Sequence, residues 1–178
     1  CAAENNNVSS NCYSGGLIGE LDDDNDGAEQ SVFSNCYVAD CSVISKTVKS
    51  GGYSFVGGFV GEGTSDVLNI ENCYVYRTVI STEGTAASEK LSGAGIFAGN
   101  FYFEESSKIN ATNCFYGECQ VTQNVGTALE KTEEEFANGT VAKLLGDAFA
   151  QVGDYPKFNG PADYSSVDAA IAKANALK

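Results

Sequence analysis

The strongest constraint on the fold of this chain is a motif of asparagine, cysteine and an aromatic residue. It stands at 35–37, 72–74 and 113–115, so its copies are 37 and 41 residues apart. A second small residue follows each cysteine at a distance of five, as Cys41, Thr78 and Cys119. A sequence that repeats itself with a period of about 20–50 residues is typical of an array of stacked structural units.

A glycine-rich block closes each repeat. FVGGFVGE at 55–62 aligns with GAGIFAGN at 93–100, and YSGGLIGE at 13–20 is the same block one copy earlier. The segments between these markers are short and rich in β-branched and aromatic residues, which favours strands over helices. We therefore predict an all-β chain that forms a short parallel β-helix, in which each repeat is one coil and adjacent coils lie about 4.8 Å apart.

The repeats are longer than a bare coil requires, so we expect side loops at 21–31, 45–53 and 81–92. Asparagine tolerates left-handed backbone geometry and can hydrogen-bond to its neighbour in the next coil. We therefore place Asn35, Asn72 and Asn113 at the bends.

The seven cysteines leave two interpretations open. Cys36, Cys73 and Cys114 would form an inward column, where a free thiol behaves as a small buried hydrophobic group. Cys41 and Cys119 would lie two coils apart, about 9.6 Å, which is too far for a disulfide. Bridges between Cys1 and Cys41 or between Cys36 and Cys41 stay geometrically possible, but buried thiols are favoured.

The distances to the glycine block suggest a phase for the first residues. Cys1 precedes Gly19 by 18 residues and Cys41 precedes Gly61 by 20, so Cys1 is expected to be equivalent to Cys41. In that phase the chain is an excised piece of a longer parent chain that starts within a repeat. The extra Asn-Cys-Tyr triplet at 11–13 then does not fit the phase of the repeats.

Charge and composition exclude several classes of function. The chain has 24 acidic and 10 basic residues, a net charge of −14, and no histidine. Nucleic acids and anionic membranes bind clustered lysine and arginine, so neither is an expected partner. Without histidine, Ser-His-Asp and Cys-His catalysis are excluded, and no apolar run approaches the ~20 residues of a transmembrane helix.

An acidic segment is a candidate calcium site. Asp22, Asp24 and Asp26 stand at alternate positions before Gly27, which matches the opening of a calcium-binding loop. The Glu at the twelfth position of an EF-hand is replaced by Phe33, so Glu20 or Glu29 would have to supply further oxygens. The alternative is an acidic surface loop without an ion.

A second candidate site is an aromatic strip. If the cysteines point inward, the neighbouring Tyr37, Tyr74 and Phe115 point outward and could stack against sugar rings. The alternative is ordinary packing of the column under a covering segment. Lyase chemistry would need a basic group on this flank, for which Arg77 and Lys108 are the candidates.

The pattern changes to a helical one after the last repeat. Thr132 and Glu135 form a capping box, and Thr140 can cap a second helix that carries Val141, Leu144, Leu145 and Phe149. We expect β-helix repeats at 1–126, a helical cap over the end of the stack at 127–158, and a linker with an amphipathic helix at 159–178.

The glycine blocks and the companion motifs carry a resemblance to a known family. GGLIG at 15–19, GGFVG at 57–61 and GAGIFAG at 93–99, with NCYV and NCFY, resemble the GLUG-motif repeats over roughly residues 1–155. Such repeats occur in large surface proteins of gut and oral bacteria, some of them IgA peptidases, as non-catalytic accessories. Residues 163–178 look like the opening helix of a FIVAR module, a spacer in Gram-positive surface proteins.

These observations lead to three hypotheses, of which the last is a protein that binds a host ligand through the acidic loop at 21–31 with calcium. The first is a non-catalytic, adhesin-like display or stalk module on the surface of a gut bacterium, which would bind host proteins or glycans through its loops and need no cofactor beyond a structural calcium ion. The second is a carbohydrate-active β-helix enzyme, a polysaccharide lyase or a glycoside hydrolase. The sequence contains no recognisable catalytic constellation, which favours the first.

Overall fold

The part of the chain that the structure describes is all-β apart from two short helices, in agreement with the predicted all-β class. A computed structural model describes residues 1–21, 30–46, 53–63, 67–83, 92–101, 108–121 and 125–160. The strands, in chain order, are β1 (Ala2–Glu4), β2 (Asn7–Ser10), β3 (Tyr13–Gly15), β4 (Ile18–Leu21), β5 (Gln30–Ser34), β6 (Tyr37–Ala39), β7 (Ser42–Lys46), β8 (Ser54–Gly57), β9 (Val60–Gly63), β10 (Val67–Glu71), β11 (Tyr74–Tyr76), β12 (Val79–Glu83), β13 (Ser92–Gly95), β14 (Ala98–Phe101), β15 (Lys108–Thr112), β16 (Phe115–Gly117), β17 (Leu129–Glu130), β18 (Phe149–Val152) and β19 (Tyr155–Phe158).

Equivalent strands of successive repeats pair with one another in parallel. The sheets are short and have the orders β1-β6-β11-β16-β17, β5-β10-β15, β2-β7-β12, β3-β8-β13 and β4-β9-β14. The aligned motifs are in register, with Tyr37 beside Tyr74 and Tyr74 beside Phe115. Each strand position of a repeat therefore lies beside the same position of the next repeat.

Two left-handed corners flank the strand that starts with the aromatic residue. Asn35, Asn72 and Asn113 form the first corner, each with a φ of 51°, which confirms the predicted bends. Across this corner the Asn113 side-chain amide donates a hydrogen bond to Asn72 Oδ1 at 2.7 Å. The second corner is formed in successive repeats by Asn5, Asp40, Arg77 and Glu118, also with positive φ.

The residue after each corner uses its thiol or hydroxyl to close the bend. The Cys73 thiol donates to the carbonyl of Glu71 at 3.1 Å, and Cys41 donates to Ala39 at 3.2 Å. At the second corner of the next repeat Thr78 Oγ1 donates to Tyr76 O at 3.0 Å. A small side-chain donor that reaches the carbonyl two residues earlier is needed here, which explains why both cysteine and threonine occur at this position. All seven cysteines are free thiols.

The phase predicted for Cys1 is wrong. Ala2 pairs with Tyr37 and the Tyr37 amide donates to the Cys1 carbonyl, so Cys1 is equivalent to Cys36 and not to Cys41. The count from the glycine block failed because the second repeat contains an insertion. Ser10 and Ser45 are paired, as are Tyr13 and Phe55, so that repeat is longer by seven residues between these points.

Side chains of the central strand alternate between two cores. Cys36, Val38 and their equivalents lie in the first core, which is enclosed by the strands. Tyr37, Ala39 and their equivalents lie in the second core, between the outer face of the β1-β6-β11-β16 sheet and the C-terminal segment. Period-two alternation therefore buries both faces of this sheet.

A column of glycines permits close packing of the strands. A Cβ atom on Gly61 would lie 2.4 Å from the carbonyl oxygen of Gly19 and 2.6 Å from the amide nitrogen of Ser14. Backbone atoms cannot move away as a flexible side chain can, so this position in the middle of the stack requires glycine.

The C-terminal segment covers the side of the stack. It consists of α1 (Glu133–Ala137), α2 (Thr140–Leu145) and the antiparallel hairpin β18–β19. The capping box of Thr132 and Glu135 is confirmed, whereas Gly139 occupies the N-cap of α2 and Thr140 is its first residue. We expected residues 127–158 to cap the end of the stack. β17 does lie at that end, paired with β16 of the last repeat. The two helices and the hairpin instead pack on rings from three successive repeats, because these rings are the large apolar surface that needs burial.

The part of the chain that the structure describes contains no helix long and apolar enough to cross a membrane. The amphipathic helix expected after residue 162 falls outside the described residues, as do most of the three predicted side loops.

Candidate ligand-binding surfaces

The candidate calcium loop lies outside the described residues. Asp22, Asp24 and Asp26 belong to the range 22–29, so their role stays a prediction. Among the described residues, no group of three or more cysteine or acidic side chains is arranged to hold a metal ion. Glu20, which was considered as a further ligand, is described and lies on β4 just before this range.

Glu20 belongs to a polar column that crosses three repeats. It pairs in register with Glu62 on β9, and Glu62 pairs with Asn100 on β14. Glu62 is buried, with 6% of its surface exposed. In the described part of the structure, the side-chain nitrogen of Asn100 is buried without a hydrogen-bond partner. Two carboxylates and an amide therefore occupy paired positions near the ends of the three strands that precede 22–29, 64–66 and 102–107.

Tyr13 borders this polar column. Burial raises the pKa of its hydroxyl, and a hydrogen bond to Glu62 raises the pKa further. The neutral hydroxyl is therefore a donor to the Glu62 carboxylate. The Tyr13 ring stacks on Phe55 at a centroid distance of 6.1 Å, which fixes its position. We name Tyr13, Glu20, Glu62 and Asn100 the polar column site.

The polar column site was not identified from the sequence, although a signal was present. Glu20, Glu62 and Asn100 each occupy the eighth position of the aligned glycine blocks. Because the blocks stack in register, any residue at that position becomes part of a column. Alignment of the glycine blocks alone would have predicted that these three side chains lie next to one another.

The aromatic strip is not an open surface, which corrects the expectation that Tyr37, Tyr74 and Phe115 could stack on a ligand. Their exposed fractions are 3%, 0% and 3%. Tyr37 and Tyr74 are stacked with centroids 5.0 Å apart and an interplanar angle of 6°. Large apolar rings gain free energy from leaving water, and here the C-terminal segment supplies the covering groups.

Aromatic residues of the C-terminal segment make this cover. Phe136 lies 5.6 Å from Tyr74, and Phe158 lies 5.1 Å from Tyr37 between ring centroids. The Tyr74 hydroxyl donates to the carbonyl of Pro156. The three rings therefore anchor the C-terminal segment.

Arg77 also serves this attachment. Its guanidinium donates to Asp40 Oδ2 at 3.0 Å and to Asp154 Oδ2 at 3.2 Å, and lies over the rings of Tyr76 and Tyr155. The hydrogen bond to Asp40 raises the pKa of Arg77 above its usual range, so the group remains charged. A group held between two carboxylates is poorly suited to act as the base of a lyase. The side chain of Lys108 is outside the described part of the structure.

Comparisons with known proteins add one structural neighbour. No family model matches the sequence, and no curated protein matches it. The fold is similar to a crystal structure from Bacteroides ovatus that carries the name "putative immunoglobulin A1 protease", with 20% identity and a TM-score of 0.51. The match covers 86% of this chain and 55% of that chain, so this chain spans about half of that protein. At this identity the similarity concerns the fold alone.

Proposed function

We propose that this chain is a non-catalytic module of a bacterial surface protein, built as a short parallel β-helix of GLUG-like repeats that displays loops. Pairing between equivalent strands 35–41 residues apart supports the β-helix, because stacked coils give in-register parallel sheets. The conspicuous repeated residues close corners or anchor the C-terminal segment. The regular spacing of these residues along the chain therefore has a structural explanation.

The observation that carries the proposal is where the repeats differ in length. The segments at 22–29, 64–66 and 102–107 all connect the fifth strand of one repeat to the first strand of the next. Those at 47–52 and 84–91 both follow the third strand of a repeat. Insertions in stacked repeats recur at equivalent points of each unit and frequently form the binding loops. We therefore propose that the loops displayed for binding are inserted at these two points of the repeat.

The module would act outside the cell, on a host surface protein or a glycan. An antibody against residues 1–160 should label intact, unpermeabilised cells that produce the parent protein. A cytoplasmic protein in the same cells serves as the control for leakage. Labelling that appears only after lysis would refute the surface assignment.

A second candidate function is a carbohydrate-active enzyme, which the polar column site favours. Glu20 and Glu62 are paired on adjacent strands, and most glycosidases act with two carboxyl groups that flank the bond they cleave. Burial of Glu62 next to a tyrosine hydroxyl is also compatible with an acid–base role. Glu62→Gln removes the charge with little change of shape and separates this candidate from the first.

A further inference from the structure

Four cysteines occupy one column through the stack, and this column goes beyond the proposed display function. Cys1, Cys36, Cys73 and Cys114 each precede a paired strand position, and the pairing is in register along the whole series. The Cys36 amide donates to Cys73 Sγ at 3.2 Å, and the amino group of Cys1 donates to Cys36 Sγ at 3.1 Å. We name these four residues the thiol column.

The spacing of the thiol column permits bridges between neighbours only. Adjacent parallel strands are about 4.8 Å apart, which lies within the Cα separation of about 4.4–6.8 Å that a disulfide tolerates. Residues two strands apart are separated by about 9.6 Å and cannot be joined without backbone movement. The column therefore offers Cys1–Cys36, Cys36–Cys73 and Cys73–Cys114 as alternative pairs that share members.

Two cavities border the thiol column. Cys1 is exposed, and together with Cys36 it lines a groove of about 400 Å³ next to β5. Cys114 lines a cavity of about 280 Å³ between the last repeat and Leu144. Cys73 is fully buried between Cys36 and Cys114. A small oxidant can thus approach the exposed Cys1, whereas the other three thiols, with exposed fractions of 4% or less, are reached through their neighbours.

We propose that the thiol column is a redox site that accepts one disulfide from a low-molecular-weight disulfide such as oxidised glutathione and passes it between adjacent cysteines. The Cys1 thiolate attacks the small disulfide, forms a mixed disulfide and releases one small thiol. Cys36 then attacks the Cys1 sulfur and releases the second small thiol, which leaves a Cys1–Cys36 bridge. Attack by Cys73 on the Cys36 sulfur moves the bridge inward and returns Cys1 to a thiol.

The two-electron balance is complete in these steps. Two protein thiols are oxidised to one disulfide, one small disulfide is reduced to two thiols, and the protons pass through solvent. Each attack requires a thiolate. The hydrogen bond with Cys73, followed by burial, raises the pKa of Cys36, and the hydrogen bond with Cys114 raises the pKa of Cys73 to about 12. Transfer along the column is therefore slow at neutral pH and accelerates as the pH rises.

A second column of equivalent positions in the same protein serves as an internal control for bridge formation between neighbouring thiols. Cys41, Thr78 and Cys119 occupy equivalent positions after the second corner, with a hydroxyl where the middle thiol would be. Cys41 and Cys119 are two strands apart, so they cannot bridge each other. Thr78→Cys would complete this column with a thiol that lies one strand away from both Cys41 and Cys119.

The test treats the folded protein with oxidised glutathione, alkylates the remaining thiols and maps the bridges by mass spectrometry. We expect one bridge per molecule, between neighbours in the thiol column, with Cys41 and Cys119 fully alkylated. Cys73→Val should confine the bridge to Cys1 and Cys36. Thr78→Cys should add a bridge to Cys41 or Cys119, and Cys12→Ser should leave the pattern unchanged.

Several results would overturn the proposal. These are glutathione retained on Cys1 without an internal bridge, a bridge that involves Cys12 or Cys41 in the unaltered protein, or bridges that form only in denaturant. The unaltered protein supplies each of these readouts, so the result stands even if Cys73→Val fails to fold.

Discussion

The guanidinium of Arg77 donates a hydrogen bond of 3.0 Å to the carboxylate of Asp40, and the two residues form equivalent left-handed corners in adjacent repeats. Arg77 also contacts Asp154 in the hairpin β18–β19, so one corner side chain joins two repeats to the C-terminal segment. The second corner varies in sequence because it serves such local attachments. The first corner is asparagine in three repeats, and there the Asn113 side chain bonds to Asn72 of the preceding repeat.

Substitutions of Arg77 should separate the strain of its corner from its contacts. Arg77→Ala removes the contacts and keeps a side chain at a φ of 45°. Arg77→Gly removes the same contacts but relieves the left-handed strain, so we expect it to be more stable than the alanine variant by about 1 kcal/mol. Chemical denaturation measures both free energies of unfolding. An alanine variant as stable as the glycine variant would contradict this account of the corner.

Two equivalent glycines should differ in their tolerance of a methyl group. Gly61→Ala places a Cβ against backbone atoms at 2.4 and 2.6 Å, whereas in Gly19→Ala the nearest such atom is at 3.4 Å. We expect Gly61→Ala to cost about 3 kcal/mol of unfolding free energy and Gly19→Ala less than about 1 kcal/mol. Thermal and denaturant unfolding measure both. Equal losses would show that the glycine column is not needed for the close approach of the strands.

The stability of the protein should depend on the ionisation of Glu4. Burial acts to raise the pKa of this carboxyl, but hydrogen bonds from Lys157 and Tyr37 outweigh burial and hold the pKa below its ordinary value. A depressed pKa stabilises the fold above the unfolded pKa of about 4.3, and this contribution is lost as the pH falls through the folded pKa.

Comparison of the unaltered protein with Glu4→Gln between pH 7 and pH 3 tests this linkage. The stability advantage of the unaltered protein should shrink as the pH falls. Lys157→Met should weaken the same dependence, since Lys157 Nζ lies 2.8 Å from Glu4 Oε2. A constant difference between the unaltered protein and Glu4→Gln over this range would rule out a role for Glu4 ionisation.

The acidic segment predicts calcium uptake. Calorimetric titration should detect binding of one ion, and chelation should lower the thermal midpoint. Asp24→Asn should weaken the uptake, while Asp147→Asn, an acidic residue on the exposed part of the C-terminal segment, should leave it unchanged. A flat titration together with an unchanged midpoint would identify the segment as an acidic loop without an ion.

The sequence was sufficient where chemistry restricts the residue type. A positive φ favours asparagine, so the first corner of each repeat was predictable from the sequence. The second corner was not predicted, because its residue type varies between repeats. The all-β class followed from the same spacing. The phase of Cys1 failed because counting residues across an insertion is unreliable, whereas the strand pairing is independent of loop length.

The sequence was insufficient where a side chain's role depends on a distant segment. The sequence predicts that Tyr74 is an outward-pointing ring on a strand. Only the positions of Phe136 and Pro156 in the structure show that this ring is covered. The C-terminal segment could lie over the end or the side of the stack with the same helical pattern. Which site it takes is decided by the apolar area that three aligned rings offer together.

The most direct test of the display function is an assay of sugar release on a panel of host and plant glycans. The appearance of reducing ends and of unsaturated uronic acids would be followed with and without calcium, for the unaltered protein and for Glu62→Gln. Our account predicts no release above the level without protein, and no difference between the two. Release of sugar ends that disappears in Glu62→Gln would contradict it and assign the polar column site to catalysis.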